Sequence, residues 1–396
     1  MARLTAFKEI RRNSFWLLLA RISAQLLGIV FVAVTARRFG AEVFGQLAVV
    51  TALVVIGNTF TTFGTDTFMI REISQTHNTE LNFSAVLGLQ LVLALVWWFA
   101  SMLFIRNAPL LVYSLALFPL AFFSIFTTLL RGAERMDLFW LLSLANGFLQ
   151  ILAAIFATSL QTLCLFMLLG QILIAGIAYW VCVTPFPGLN LFPLRDFRPL
   201  VVLVWPFAAL SFIAILSQRL GILSVSAWLD NQSTGLFSAA FRLVDGLKVF
   251  HFALLGALLP NLSRRAGFAR RDLTRAFLVL LAISLTIVLV VSIFDSLIIK
   301  TIFGARFLIA APILQILVWS LIPYSISSVL ALKFVVTHAE QTLLKATIVS
   351  LASMMFFYSW LVPTYTLIGA AWAALMGECL QAALFIFFHR TRGARL

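Results

Sequence analysis

Long apolar runs separated by short polar turns dominate this chain, and the runs have the length that suits a membrane. About 20 apolar residues cross the hydrocarbon core as a helix. Helices are required there because lipid offers no partner for an open backbone group. The pattern predicts twelve spans, near 14–36, 43–68, 84–105, 108–130, 138–159, 161–183, 199–228, 234–262, 276–299, 307–332, 343–362 and 365–389. The seventh and eighth are the longest, and such spans tilt or protrude. The connections are too short for a folded extramembrane domain.

Composition agrees with this reading. Of 396 residues, 62% are hydrophobic and only 11% charged. A soluble domain is about 45–50% apolar and about 25% charged. The net charge of +14 does not point to nucleic acid, because Lys and Arg sit mostly in the turns. With the amino terminus in the cytoplasm, the inward segments hold nineteen Lys and Arg and the outward ones five; four intramembrane cations complete the 28. The positive-inside rule then puts both termini in the cytoplasm. Arg3 to Arg12 precede an apolar run too long for a signal peptide, and the run reads as a retained first span. Cys164, Cys182 and Cys379 show neither a disulfide framework nor metal spacing, and no cofactor is expected.

Residues 184–198 carry Pro185, Pro187 and Pro193 and divide the chain into six-span halves, 1–183 and 199–396. A weak repeat supports the division. Phe39-Gly40-Ala41-Glu42-Val43-Phe44-Gly45-Gln46-Leu47 opens span two, and Asp230-Asn231-Gln232-Ser233-Thr234-Gly235-Leu236-Phe237-Ser238 opens span eight. Paired six-span halves are a transporter plan. Pro119, Pro206, Pro260 and Pro323 fall inside spans and are expected to kink them.

Several motifs resemble a family. Arg12-Asn13-Ser14-Phe15-Trp16, Ala36-Arg37-Arg38-Phe39-Gly40, Phe44-Gly45, Gly64, Arg71-Glu72 and Leu130-Arg131-Gly132-Ala133-Glu134-Arg135 mark the first half. Gly235 to Leu243, Leu259-Pro260-Asn261-Leu262-Ser263-Arg264, Phe303-Gly304-Ala305-Arg306-Phe307 and Leu367 to Ala373 mark the second. In order and spacing they resemble bacterial O-antigen and polysaccharide repeat-unit flippases of the multidrug/oligosaccharidyl-lipid/polysaccharide (MOP) exporter superfamily. The resemblance implies an all-α polytopic fold: about 12 transmembrane helices in two six-helix lobes around a central V-shaped cavity, lined largely by spans one, two, seven and eight. It implies an inner-membrane flippase that moves an undecaprenyl-pyrophosphate-linked oligosaccharide outward by alternating access. Its partners would be that polyprenyl-pyrophosphate-linked oligosaccharide, the lipid bilayer, and a polysaccharide polymerase with chain-length machinery. Lipid II flippases of the superfamily look like fourteen-span proteins, against twelve here.

Four cations lie within spans: Arg21, Arg219, Arg242 and Lys248. Each costs roughly 2.5–3.5 kcal/mol at a helix centre on insertion scales. At about 1.5 Å per residue, Arg219 and Arg242 form an outer tier, while Arg21 and Lys248 lie deeper. Arg242, Asp245, Lys248 and His251 recur every three residues, along one face of span eight. A pyrophosphate cannot cross bare hydrocarbon, and Arg forks with a Lys point charge replace its hydration. The four cations are therefore the expected substrate-binding residues. Other readings stand beside this one. Arg21 also fits a side chain snorkelling to the inner interface, and Arg219 fits the outer end of a shorter span. Asp245 fits a structural pair with Arg242 or Lys248, and His251 a packing residue. Glu378, without an evident partner, fits either a coupling-ion site or a protonated acid.

Two rival functions differ in chemistry. An ion-coupled multidrug exporter of the same superfamily should line its cavity with carboxylates rather than cations. A polysaccharide-assembly enzyme needs a large outer loop and paired catalytic carboxylates, which the turns do not offer, so the chain reads as a non-enzyme.

The orientation has a direct test. Lys300→Cys should react with an impermeant maleimide in intact cells, and Lys345→Cys only after permeabilisation.

Overall fold

A computed structural model describes residues 2–76, 83–104, 108–186, 196–251, 254–255, 270–337 and 339–393. Nearly all of these are helical. The elements are α1 (Ala2–Thr62), α2 (Thr65–Thr76), α3 (Phe83–Phe104), α4 (Ala108–Ser114), α5 (Leu117–Gly132), α6 (Met136–Phe156), α7 (Leu160–Val183), α8 (Arg198–Trp228), α9 (Asn231–Leu247), α10 (Arg270–Phe303), a 3-10 turn (Ala305–Ala310), α11 (Ala311–Val318), α12 (Leu321–Val336) and α13 (Glu340–Gly393).

Among the described residues eight helices are long and apolar enough to cross a bilayer, and a ninth span is the pair Ala305–Val318 and Leu321–Val336, bent by 44°. Two of the eight, Phe15–Thr62 and Gln341–Thr391, run 48 and 51 residues, twice the length of a crossing. Each breaks in the middle, α1 at Gly40 (φ 77°) and α13 at Thr366 (φ 54°). Together with α9 these make the twelve spans expected from the apolar pattern. The continuation of the eighth span past residue 255, including Pro260 and the Leu259–Arg264 motif, lies outside the described residues. The outer faces confirm the solvent: Trp180 and Val202 are each 75% exposed and Ile293 71%. Apolar surface open to this degree belongs against lipid.

The chain forms two compact units, residues Met1–Thr35 with Val50–Leu216, and residues Ala36–Val49 with Ser217–Leu396. They differ from the sequence halves 1–183 and 199–396 by one segment each. Within the first unit, Phe60 meets Phe212 edge-on at 6.2 Å, and Gly64 lies against Phe207 and Ala208, which keeps the start of α8 with the N-terminal helices. Residues 187–195 of the proline-rich connection lie outside the described residues.

The core of the first unit joins α2, α3, α5, α6 and α7 through Ile73, Leu87, Phe126, Leu130, Leu142 and Ile174. Cys182 packs within it, while Cys379 is exposed. The Leu130–Arg135 motif closes α5: Glu134 takes a left-handed conformation, and the Arg135 N–H donates to the Leu130 carbonyl at 2.8 Å. This is a helix C-cap that spends otherwise orphaned carbonyls. The Glu134 carboxylate then accepts from Asn13 at 2.9 Å, so two of the sequence motifs meet in one joint.

In the second unit, the two repeat motifs pack on each other. A Cβ on Gly45 would strike the Asn231 carbonyl oxygen, and one on Gly235 would strike that of Ala41. The helices cross backbone to backbone, as small residues allow in membranes. Two further motifs meet at the end of α10, where the Arg37 guanidinium donates to the Ile302 carbonyl at 2.9 Å and to that of Thr301. A cation there also suits the negative end of the helix dipole. These contacts draw residues 36–49 to the second unit.

Prolines act at breaks more than as internal kinks. Pro119 and Pro323 each stand in the first turn of a helix, where their missing N–H is tolerated. The chain turns just before them, at Leu115–Ala116 and Trp319–Ser320. Pro206 stays within the continuous α8.

Asp230 caps α9, its carboxylate accepting from the Ser233 N–H at 2.7 Å. That bond holds Asp230 below the ordinary aspartate range. Because the folded value is depressed, the stabilisation is present above the unfolded pKa and is lost as pH falls through the folded one. Asp230→Ala should lower stability by about 1 kcal/mol at neutral pH, with the difference shrinking in acid, read by thermal unfolding in detergent. Gly45→Ala and Gly235→Ala should each cost about 1–3 kcal/mol through overpacking. Their combination should cost less than the sum, because both disturb one crossing.

Candidate functional site

Polar side chains gather inside the second unit: α9 and the turn that follows it contribute four, and α8, α10, α12 and α13 one or two each. Helix α9 sets the arrangement. Its three-residue spacing puts Arg242 and Asp245 on neighbouring positions of one face, with Lys248 at its C-cap and His251 just beyond. At Lys248 the helix tightens: the Lys248 N–H is shared between the carbonyls of Val244 (3.3 Å) and Asp245 (3.2 Å), and the His251 N–H donates to the Lys248 carbonyl (3.0 Å). A single tight turn within a span is where helices reorient, and it brings Lys248 and His251 toward α12 and α13.

The Lys248 ammonium donates to Glu378 Oε1 at 2.9 Å, and both side chains are only 13% exposed. The same ammonium stands 4.5 Å from the centre of the Tyr324 ring. A cation over an aromatic face gains further when desolvated. Among the described residues Glu378 Oε2 is buried without a hydrogen-bond partner, so the carboxylate is half satisfied.

Beneath Tyr324 lies a second polar group. His251 is fully buried and meets the Tyr324 ring edge-on at 5.1 Å. Its Nε2 is 2.9 Å from Ser325 Oγ and 3.0 Å from Ser284 Oγ, and the two hydroxyls are 2.9 Å apart. Ser325 gives its proton to the Leu321 carbonyl at 2.8 Å. The count closes when Nε2 carries the proton: His251 and Ser284 both donate to Ser325 Oγ, which donates onward. Nδ1 is then a bare, buried nitrogen without a partner among the described residues.

Arg219 and Arg242 are half-buried, and among the described residues the Nε–H of each is buried with no acceptor. Asp245 attracts Arg219 and Arg242 repels it, so two guanidinium groups share the field of one carboxylate. Gly221, two residues beyond Arg219, makes room for the Tyr358 hydroxyl: a Cβ there would lie 2.6 Å from it. That close approach sets α8 beside the part of α13 that carries Tyr358.

Six of the seven residues singled out in the sequence thus come together in one unit: Arg219, Arg242, Asp245, Lys248, His251 and Glu378. Arg21 belongs to the first unit, exposed on α1 and acting electrostatically on Arg131, which itself pairs with Asp66 at 3.7 Å. Two sequence expectations change. Glu378 does have a partner, Lys248, and the direct ion pair of Lys248 is with Glu378 on α13, while Asp245 acts on it electrostatically from three residues earlier in the chain. Tyr324, Ser284, Ser325 and Tyr358 were not anticipated, since a lone Tyr or Ser in a span carries no periodic signal. Among the described residues no group of His, Cys, Asp and Glu could hold a metal ion.

A protein-family model described as "Polysaccharide biosynthesis protein" matches residues 10–266. No curated protein sequence matches the chain. Solved structures do match it in fold. The lipid II flippase MurJ in an inward closed conformation aligns with a TM-score of 0.79 at 16% identity, covering 93% of this chain and 86% of that one. An outward-facing multidrug resistance MATE family transporter of the MOP superfamily gives 0.71 at 17%, covering 97% and 95%. A MOP superfamily transporter from Pyrococcus furiosus, described by the reverse polarity of its binding pocket, gives 0.67 at 15%, covering 97% and 95%. The fold expected from the sequence, that of the MOP superfamily, is therefore the fold observed.

Breaking the buried pair should be asymmetric. Lys248→Met leaves a carboxylate among apolar groups and should cost on the order of 3 kcal/mol. Adding Glu378→Leu should recover most of that loss, as read by thermal unfolding of the purified variants.

Proposed function

This chain belongs to the polysaccharide biosynthesis protein family, and we propose that it is a flippase for an undecaprenyl-pyrophosphate-linked oligosaccharide in the bacterial inner membrane. The observation that carries the reading is the pair of buried, unspent guanidinium N–H groups on Arg219 and Arg242, near Asp245 and with Lys248 at the C-cap of α9. A buried donor left unpaired costs about 1–3 kcal/mol. An anion rich in oxygens removes that cost by accepting from both forks, and a pyrophosphate has the charge and the number of acceptors to do so.

The mechanism follows from the solvent. The polyprenyl tail stays in lipid throughout, while the charged headgroup crosses inside the protein, where Arg219, Arg242 and Lys248 stand in for water. Arg21, on the first unit, serves the same anion at another stage of the passage. Helix breaks at Gly40, Thr366 and the Trp319–Ser320 turn let helix segments move as rigid pieces during alternating access. In this reading the protein makes and breaks no covalent bond. It receives its lipid-linked substrate in the cytoplasmic leaflet, both of its termini lie on that side, and it hands the product to a polysaccharide polymerase with its chain-length machinery.

The rival reading, an ion-coupled multidrug exporter, has support in the likeness of fold to MATE transporters. It needs a free carboxylate for a cationic drug. Glu378 is occupied by Lys248, and Asp245 lies in the field of Arg219, which disfavours it.

Arg219→Gln and Arg242→Gln should each reduce repeat-unit export about 10-fold or more, the worth of one charged hydrogen bond, at unchanged protein level. Undiminished export by a well-expressed variant lacking Arg21, Arg219, Arg242 and Lys248 together would overturn the reading.

A further inference from the structure

The Lys248–Glu378 pair is built unlike a permanent structural bridge. Buried ion pairs hold well when every remaining lone pair and proton is also satisfied. Here Oε2 of Glu378 is buried and empty, and one side of the ammonium rests on the Tyr324 ring. The pair lies within a unit that also holds two unspent Arg donors. A carboxylate bound through one oxygen is a weak competitor for Lys248 against a phosphate group, which brings more charge and more acceptors.

We propose that Glu378 is a stand-in ligand, which a substrate phosphate displaces from Lys248 and which takes up one proton when it is displaced. This rests on the flippase reading above and adds the event that accompanies capture. Before binding, the ammonium and the carboxylate neutralise each other. In the exchange, the Lys248 ammonium keeps its three protons and transfers its hydrogen bond from Glu378 Oε1 to a phosphate oxygen. Glu378, now without a cation and with both oxygens in a poorly hydrated site, accepts a proton from hydronium, leaving water. No covalent bond other than that O–H is formed.

The surroundings push in this direction from every side. On α9, Asp245 is the other acid in the field of Lys248, and on α12 Tyr324 faces the ammonium. On α13 itself, Tyr358 and Cys379 are the titratable neighbours of Glu378, and neither supplies a positive charge. His251, with Ser284 of α10, faces Lys248 from beneath the Tyr324 ring. The Arg219 and Arg242 charges are shared with Asp245 and, once substrate is present, with the phosphates. A carboxylate stranded among an acid, an incoming phosphate and phenol rings neutralises by protonation. The exchange keeps the Lys248–Glu378 pair neutral when empty and adds no bare carboxylate when loaded, which a membrane carrier needs in both directions of its cycle.

The test uses the purified full-length protein in detergent, with geranylgeranyl pyrophosphate as the lipid probe and inorganic pyrophosphate as the headgroup alone. Titration calorimetry in buffers of differing ionisation enthalpy counts the protons taken up. The native protein should take up about one proton more per probe bound than Glu378→Gln, a difference that cancels the probe's own ionisation. Native affinity should weaken about 10-fold per pH unit relative to the variant. Above pH 7 the variant should bind at least about 10-fold tighter, because Lys248 no longer spends most of its time occupied. Infrared difference spectra of the native protein alone should gain the carbonyl stretch of a protonated carboxylic acid when probe is added. Binding without the proton difference, or without that band, overturns the exchange while leaving the flippase reading intact. Failure of the native protein to bind either probe overturns the anion-binding reading itself, and the exchange with it.

Discussion

Inside a bilayer a charge has no water to fall back on, and the organisation of the C-terminal unit follows from that constraint. A lysine at the C-terminal end of α9 needs a counter-charge, and Asp245, three residues earlier, acts on it electrostatically without forming the ion pair. Glu378 reaches it from α13, across more than a hundred residues of sequence. Tyr324 supplies the face of a ring, and the ring in turn covers His251. One pairing thereby fixes the mutual positions of α9, α12 and α13, and the tight turn at residue 248 is the local backbone adjustment that permits it. Arg219 and Arg242 are not resolved by the same device: among the described residues the Nε–H of each is buried without an acceptor.

Elsewhere the unit boundaries are set by contacts at helix ends. Glycine permits Gly45 and Gly235 to bring two backbones together, and Arg37 ties off the last carbonyls of α10. Asn13 and Glu134 do the comparable work in the first unit. The motifs that give the chain its resemblance to repeat-unit flippases are largely these joints. They explain why the family can be recognised by short turns, while the residues proposed to handle substrate lie in the middles of helices between them.

The spans were legible because hydrocarbon imposes a length and an apolar composition that no soluble fold imitates. The breaks at Gly40 and Thr366 fall in turns already marked by polar residues. The break at Trp319–Ser320 did not announce itself, because Pro323 signals a disturbance without saying on which side the chain bends. Of the site, its cations were legible and its pairings were not. Arg219, Arg242 and Lys248 stand out against apolar neighbours, since a charge in a span is costly wherever it points. Which acid meets which base depends on helix rotation and crossing, and these are decided by side-chain packing between segments far apart in sequence.

The amino-acid sequence by itself determined the class of the protein, the number and course of its spans, and the presence of intramembrane charges, because each follows from the transfer of individual side chains and backbone groups into lipid. Tertiary structure alone decided that Glu378 belongs to Lys248, that His251 is bound by two serines, that residues 36–49 join the second unit, and that Arg219 and Arg242 keep buried donors unspent. Those are statements about distances of about 3 Å between groups on different helices, and only the close packing of the helices sets distances of that size.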